Sequence, residues 1–111
     1  MDYKSLGQNV RKYRIMAGLT QEELAEKVNC SNSHIGQIEN GRGIPSLETI
    51  TLIANALDVS VDWFIISDLK HPELIYLKDI CDKIQTYPLR TRIVTCEMIQ
   101  HLLEVVDESQ K

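Results

Sequence analysis

The chain has 111 residues, 43% of them apolar, and a formal net charge of −4, which suits one small domain or one domain with a short appendage. It has no apolar run near the length of about 18 residues that indicates a membrane span and no secretory pattern at its N-terminus, so we expect a cytoplasmic protein with no membrane partner. Its three cysteines, Cys30, Cys81 and Cys96, lack CxxC or Cys/His spacing. We interpret them as buried free thiols, with redox sensing or zinc binding as the alternatives.

The first two predicted helices are amphipathic. One runs from about Ser5 to Ala17 and ends at Gly18. The second begins at Gln21, because Thr20 and Glu23 have the spacing of a capping box, in which each side chain accepts a hydrogen bond from the backbone amide of the other residue. The inward residues are predicted to be Leu6, Val10, Tyr13 and Ile15 in the first helix and Leu24, Ala25 and Val28 in the second.

An abrupt turn separates the second helix from a third. Asn29 ends the second helix, because asparagine tolerates the left-handed backbone conformation that a three-residue turn needs. Ser31 is a good N-cap for a third helix from about Asn32 to Asn40, and Gly41 closes that helix as its left-handed cap. Two short helices joined in this way allow the second of them to enter the major groove of DNA.

The third helix has two different faces. Ile35 and Ile38 point one way, whereas the opposite face is polar and uncharged. A merely solvated helix would more often carry Lys and Glu there, whereas Asn and Gln can pair bidentately with the edge of adenine. Glycine in a helix interior costs about 1 kcal/mol relative to alanine, and close approach to DNA is a candidate reason for Gly36. We therefore predict, against the alternative of arbitrary surface residues, that bases are read by Asn32, Ser33, Gly36 and Gln37.

Two further helices complete the first predicted domain, residues 1–66. A loop rich in helix breakers, residues 41–45, leads to Ser46, which caps the fourth helix, and Ser60 caps a short fifth helix. No strand pattern is present, so the fold is predicted to be all-α. The buried stripe of the fourth helix is predicted to be Leu47, Ile50, Ile53, Ala54 and Leu57. The core of the domain is predicted to contain Leu6, Val10, Leu24, Val28, Ile35, Ile38, Leu47, Ile53, Leu57 and Trp63.

Residues 73–111 have a different pattern, beyond a polar break at residues 67–72 that we expect to be a linker. They predict a helical hairpin folded about Thr86, Tyr87 and Pro88, with an apolar surface broader than so short a hairpin can bury against itself. We therefore expect a dimerisation surface, with packing against the first domain or binding of a protein partner as the alternatives. The residues of this surface are predicted to be Leu74, Leu77, Cys81, Ile84, Ile99, Leu102, Leu103 and Val106.

The first domain has a set of residues at the spacing of a known family. These are Leu6, Gly7, Val10, Arg11, Arg14, Gly18, Leu19, Thr20, Gln21, Leu24, Ala25, Val28, Ile35, Ile38, Glu39, Asn40, Gly41, Pro45, Ala56, Leu57, Val59, Ser60, Val61, Asp62 and Trp63. In these positions, residues 6–66 resemble the helix-turn-helix domain of the Xre/Cro family, which includes the lambdoid phage repressors. The resemblance implies a five-helix, lambda-repressor-like DNA-binding domain. The chain departs from the family at Asn29, where glycine is usual, and at Gly36, where a contacting side chain is common.

The resemblance also implies roles for individual polar residues. Arg14 and Glu39 match a pair that links the first helix to the third, so we expect an ion pair that positions the recognition helix. Gln21 matches a phosphate-binding position, with a solvated surface glutamine as the alternative. Contacts with backbone phosphates on either side of the groove are expected from Asn40, Arg42 and Arg11.

The first part of the chain is the least acidic. Residues 1–44 carry six basic and five acidic side chains, whereas residues 45–66 carry none and three, and residues 67–111 carry six and eight. DNA binding is therefore expected to depend on a few positioned contacts more than on bulk attraction. No set of nucleophile, base and orienting group, no phosphate-cradling glycine loop and no cluster of metal ligands can be assembled, so we predict no enzymatic activity, cofactor or metal.

Together these features predict a sequence-specific transcriptional repressor. It would occupy a two-fold, double-stranded DNA operator as a homodimer, with the recognition helices about 34 Å apart in successive major grooves. One alternative is an antitoxin-type regulator whose hairpin masks a protein partner. Another is an interaction module that has kept the fold without DNA binding.

Overall fold

The computed structural model describes all 111 residues, and the fold is all-α with no strand, as predicted. The chain forms two compact units, Met1–Pro72 and Glu73–Lys111. No helix is both long enough and apolar enough to cross a membrane. The helices are α1 (Tyr3–Met16), α2 (Gln21–Lys27), α3 (Asn32–Glu39), α4 (Leu47–Leu57), α5 (Val61–Phe64), α6 (Glu73–Gln85) and α7 (Leu89–Ser109), and Ile66–Asp68 forms a short 3-10 turn after α5.

Side-chain caps define where the helices of the first unit begin. The Thr20 hydroxyl accepts from the Glu23 amide at 3.0 Å and the Glu23 carboxylate accepts from the Thr20 amide at 3.1 Å, so the predicted capping box is confirmed. The hydrogen bond from the Thr20 amide to the Glu23 carboxylate, and after it the Thr20 side chain, lower the pKa of Glu23. α1 begins two residues earlier than predicted, because the Asp2 carboxylate caps it by accepting from the Ser5 amide at 3.0 Å. The remaining predicted caps, Ser31, Ser46 and Ser60, are all present.

The turn between α2 and α3 has the predicted backbone conformation. Asn29 has a φ of +55° and Gly41, after α3, has a φ of +75°, both in the left-handed region. The Cys30 amide donates to the Ala25 carbonyl at 3.0 Å and thereby closes the end of α2. The usual glycine at position 29 is therefore dispensable, because asparagine adopts the same conformation.

The core of the first unit differs from the prediction at three positions. Leu47 is 80% exposed, because no other element covers the first residue of α4. Trp63 is only half-buried, and its neighbour Phe64 is fully buried instead, with its ring edge against Tyr13. Ile15 is 55% exposed, since it lies on a different side of α1 from Val10. The buried apolar residues are Leu6, Val10, Leu24, Ala25, Val28, Ile35, Ile38, Ile50, Ile53, Ala54, Leu57 and Phe64.

The segment after α5 is more structured than a linker. Ile66–Asp68 is helical, and the Asp68 carboxylate accepts from the Asp2 amide at 3.0 and 3.2 Å. The first unit therefore extends to Pro72.

The second unit consists of α6, a turn and α7. The Thr86 and Tyr87 amides donate to the Lys83 and Ile84 carbonyls, and α7 begins directly after Pro88. Neither helix contains a buried residue. Cys81 and Cys96 are therefore exposed, and the expectation of buried thiols was wrong for both, because the two helices do not cover each other's apolar faces.

Candidate nucleic-acid interface

Two glycines bring α1 into backbone contact with the end of α3. A Cβ atom on Gly7 would clash with the carbonyl oxygen of Ile38 and would lie 2.7 Å from that of Glu39. A Cβ atom on Gly41 would lie 2.8 Å from the Cα atom of Lys4. Any larger residue at position 7 would push the helices apart, so these contacts fix the position of α3 on α1. The sequence contained Gly7 only as part of a family pattern, with no sign of this crossing.

A buried ion pair joins the same two helices. The Glu39 carboxylate accepts from Arg14 Nε at 2.7 Å and from Arg14 Nη2 at 3.0 Å, in a bidentate geometry. Arg14 Nη1 also donates to the Leu19 carbonyl at 2.7 Å. The Glu39 side chain is 1% exposed and that of Arg14 is 10% exposed, so solvent screens the pair very little. The pair connects α1, the loop before α2, and α3.

Gln21 extends this network to α2. Its Nε2 donates to Glu39 Oε1 at 3.1 Å, and the residue is partly buried, so it is not a freely solvated glutamine. Its amide oxygen faces α3, where a Cβ atom on Gly36 would lie 3.6 Å away. That distance is an ordinary van der Waals contact, so nothing inside the protein requires glycine at position 36. No contact within the protein therefore explains the glycine at position 36.

The structure places the predicted base-reading residues on one surface of α3. Ile35 and Ile38 are fully buried on one side, whereas Asn32, Ser33 and Gln37 are exposed and Gly36 is half-buried on the other. The exposed surface carries no charged side chain. It therefore offers hydrogen-bond donors and acceptors without a fixed charge.

Three of the four predicted phosphate-binding residues line a polar recess of about 470 Å³. Arg11, Gln21 and Asn40 line it, together with Lys4 and Gln8, which the sequence analysis did not identify. The signal for these two was present, because positions 4, 8 and 11 fall on one face of a helix. Arg42 is exposed on the loop after α3 and does not line the recess. No group of three or more His, Cys, Asp or Glu side chains is placed to hold a metal ion.

The predicted dimerisation residues lie on α6 and α7 with their side chains largely uncovered. Eight large apolar residues of α7 are between 47% and 64% exposed. Ile84 and Ile99 are half-buried. The exposed members of the predicted surface are Leu74, Leu77, Cys81, Leu102, Leu103 and Val106.

Comparison with known proteins gives the family. The model of the HTH_3 helix-turn-helix family matches residues 10–64. Control protein C.SmaI of Serratia marcescens is 40% identical over 62 residues, which cover 55% of this chain and 74% of that protein. The chain belongs to the HTH_3 family. The family consists of Xre/Cro-like helix-turn-helix regulators and not of enzymes, as the sequence predicted.

Two further similarities are informative. The immunity repressor protein of Bacillus phage phi105 is 42% identical over 57 residues, which cover 51% of this chain but only 40% of the repressor. A solved structure described as a complex of the SinR and SinI proteins has a TM-score of 0.56 and 26% identity, covering 90% of this chain and 98% of its own. The first similarity is confined to about half of this HTH_3 chain, whereas the second extends over most of both units.

Proposed function

We propose that the chain is a sequence-specific DNA-binding transcriptional repressor that uses α3 as its recognition helix. The observation that carries this proposal is the uncharged polar surface of α3, exposed on a helix whose other side is fully buried. A reading helix must be held rigidly, and the Gly7 crossing and the Arg14–Glu39 ion pair hold this one. The name of the phage relative, an immunity repressor, supports repression.

The proposed contacts divide into two classes. Asn32, Ser33 and Gln37 would read base edges in the major groove, where Gly36 would permit close approach of the helix. Phosphate contacts, which orient the protein without reading sequence, would come from Gln21, Asn40, Arg42 and Arg11. The hydrogen bond from Gln21 to Glu39 would fix the Gln21 side chain for its contact.

The test begins with selection of bound sequences from random DNA by the full chain. Gln37→Ala should then cost about 1–3 kcal/mol on the best sequence and relax the preference at one base position in each half-site. Arg42→Ala is the matched control, because it should weaken all sequences about equally and make the salt slope shallower by about one unit for each bound subunit. Unchanged base preferences in Gln37→Ala, Asn32→Ala and Ser33→Ala would reject α3 as the reader.

We further propose that the regulator binds a two-fold operator as a homodimer formed through α6 and α7. The apolar residues of α7 lie around most of the helix circumference and remain exposed in the single chain. A continuous apolar surface of this kind marks an interaction site in a protein that is not membrane-bound. The dimer would hold two recognition helices at once, with a gain in effective concentration of about 100-fold or more.

Two double variants and a fragment test the dimer. Replacing Ile99 and Leu102 by Asp should yield a monomer in sedimentation, because a charge buried without a partner is costly. Replacing Glu104 and Glu108 by Lys also alters two charges, but on the polar side of α7, and should leave the dimer intact. A fragment of residues 1–72, which keeps the whole first unit and its core, should be a folded monomer with reduced operator affinity. A fragment that still sediments as a dimer would move the interface to the first unit.

A second candidate is an antitoxin-type role, in which the second unit binds a different protein. The observation that favours it is the structural similarity over 90% of this chain to a structure described as a complex of two proteins. A full-length chain that is monomeric at micromolar concentration but binds DNA would support this candidate over the homodimer.

A further inference from the structure

The polar recess beside α3 has a positive charge that the protein leaves uncompensated. Lys4, Arg11 and Arg14 line it, and Glu39 is its one carboxylate. That carboxylate is already bound by Arg14 and by Gln21. Lys4 and Arg11 are exposed and have no acidic partner within 4 Å. The recess therefore favours an anion.

The cationic row on α1 is held in register with α3. Lys4, Gln8 and Arg11 are four and three residues apart, so they follow one face of α1. The backbone of Lys4 touches Gly41, the residue that follows Asn40 at the end of α3. Because Gly7 holds the next turn of α1 against α3, the row cannot shift relative to the recognition helix without breaking this contact.

We propose that Lys4 and Gln8 bind a backbone phosphate of the DNA duplex beside the groove that α3 enters. This inference rests on the proposed DNA binding and adds two residues to it. Lys4 supplies a charge and Gln8 supplies an amide donor, while Arg11 and Asn40 line the same recess. Both duplex DNA and free inorganic phosphate could supply a phosphate group to the recess. Duplex DNA is the proposed source, because the binding of α3 in the major groove would bring the DNA backbone to this position.

The first experiment compares Lys4→Ala with the full-length protein on the selected DNA and on an unrelated sequence. For each bound subunit, affinity for both should fall by roughly tenfold, the value of one charge-assisted hydrogen bond, and the salt slope should become shallower by about one unit. Gln8→Ala should weaken both sequences with an unchanged salt slope. The matched control is Lys27→Ala, which removes an exposed cation from the last turn of α2, outside the recess, and should bind like the original protein.

The fold of the variant can be checked independently. Alanine keeps the Cβ atom of Lys4, which packs close to Gly41, so circular dichroism and thermal unfolding of Lys4→Ala should match those of the original protein. A loss of affinity without a change in these measurements excludes misfolding as its cause.

A second experiment locates the phosphate. Neutral methylphosphonate groups are introduced one at a time along the selected duplex. At the phosphate bound by Lys4, neutralisation should weaken the original protein but have no further effect on Lys4→Ala, whereas at other contacted phosphates the two losses should add.

Three outcomes would count against specific claims. If the original protein binds no DNA, the proposed function itself fails. If it binds DNA and Lys4→Ala has an unchanged salt slope, only the present inference fails. Saturable binding of inorganic phosphate at Lys4, combined with unchanged DNA affinity of Lys4→Ala, would assign the recess to a free anion and overturn the assignment to DNA.

Discussion

Replacing Arg14 by alanine should lower the free energy of unfolding of the first unit by about 3–5 kcal/mol. The Glu39 carboxylate accepts three hydrogen bonds, and the substitution removes the two from Arg14, leaving only the one from Gln21. With 1% of its side chain exposed, Glu39 cannot recover them from water. A unit of 72 residues has a total stability of about 4–11 kcal/mol, so the loss should remove a large part of that stability.

The magnitude rests on an uncompensated buried charge, and a double substitution isolates that cause. Arg14→Met combined with Glu39→Leu removes both charges and keeps a similar side-chain volume. Because apolar replacement of a buried ion pair is often neutral or stabilising, the double variant should regain most of the loss. Arg11→Ala, an exposed arginine on the same helix, is the control and should change stability by no more than about 0.5 kcal/mol.

Urea unfolding followed by circular dichroism measures these differences, provided that the slope with urea is unchanged between variants. A double variant no more stable than Arg14→Ala would refute the reasoning, since the cost would then come from lost packing. The same double variant also separates the effect of the ion pair on stability from its effect on DNA binding. It should fold, yet Gln21 would lose its acceptor, so affinity for all DNA sequences should fall alike.

Three other predictions concern the first unit. Gly7→Ala should destabilise the unit, because the clash of the new Cβ atom with the Ile38 carbonyl should cost more than the roughly 1 kcal/mol that alanine gains over glycine in a helix. A higher thermal unfolding temperature for Gly7→Ala would show instead that the two helices separate at little cost. The lowered pKa of Glu23 means that its carboxylate stabilises the fold above its unfolded pKa of about 4.3 and that this contribution disappears as the pH falls through the lower folded pKa. The stability difference between the original protein and Glu23→Ala should therefore shrink on acidification, and a constant difference would contradict the capping role. Leu47→Ser should change stability by no more than about 0.5 kcal/mol, whereas Phe64→Ala should cost about 3–5 kcal/mol, because Leu47 is exposed and Phe64 is buried. Equal losses of stability in urea unfolding would contradict this difference in burial.

Local signals explain what the sequence predicted well. The capping box at Thr20 and the left-handed turn at Asn29 each involve a side chain and the backbone within three residues. The alternation of buried Ile35 and Ile38 with exposed polar residues follows from helix geometry alone. Such features do not depend on how the rest of the chain packs.

Features that depend on distant parts of the chain could not be predicted in this way. Periodicity places Leu47 on the buried stripe of α4, but it cannot tell that no other helix reaches the start of that stripe. A helix of four residues has too little periodicity to choose between Trp63 and Phe64. Lys4 was missed because the start of α1 was predicted two residues too late, so that Lys4 fell outside the predicted helix.

The uncovered face of α7 also has a consequence for turnover of the protein in the cell. If a second copy covers this face, pairing stabilises each chain by mass action, whereas an unpaired chain presents its apolar helix to proteases. Newly made copies at low abundance would then be degraded faster than copies that have found a partner. The lifetime of the protein would rise with its own concentration. The difference in protein level between a cell that makes little of it and a cell that makes more would therefore increase.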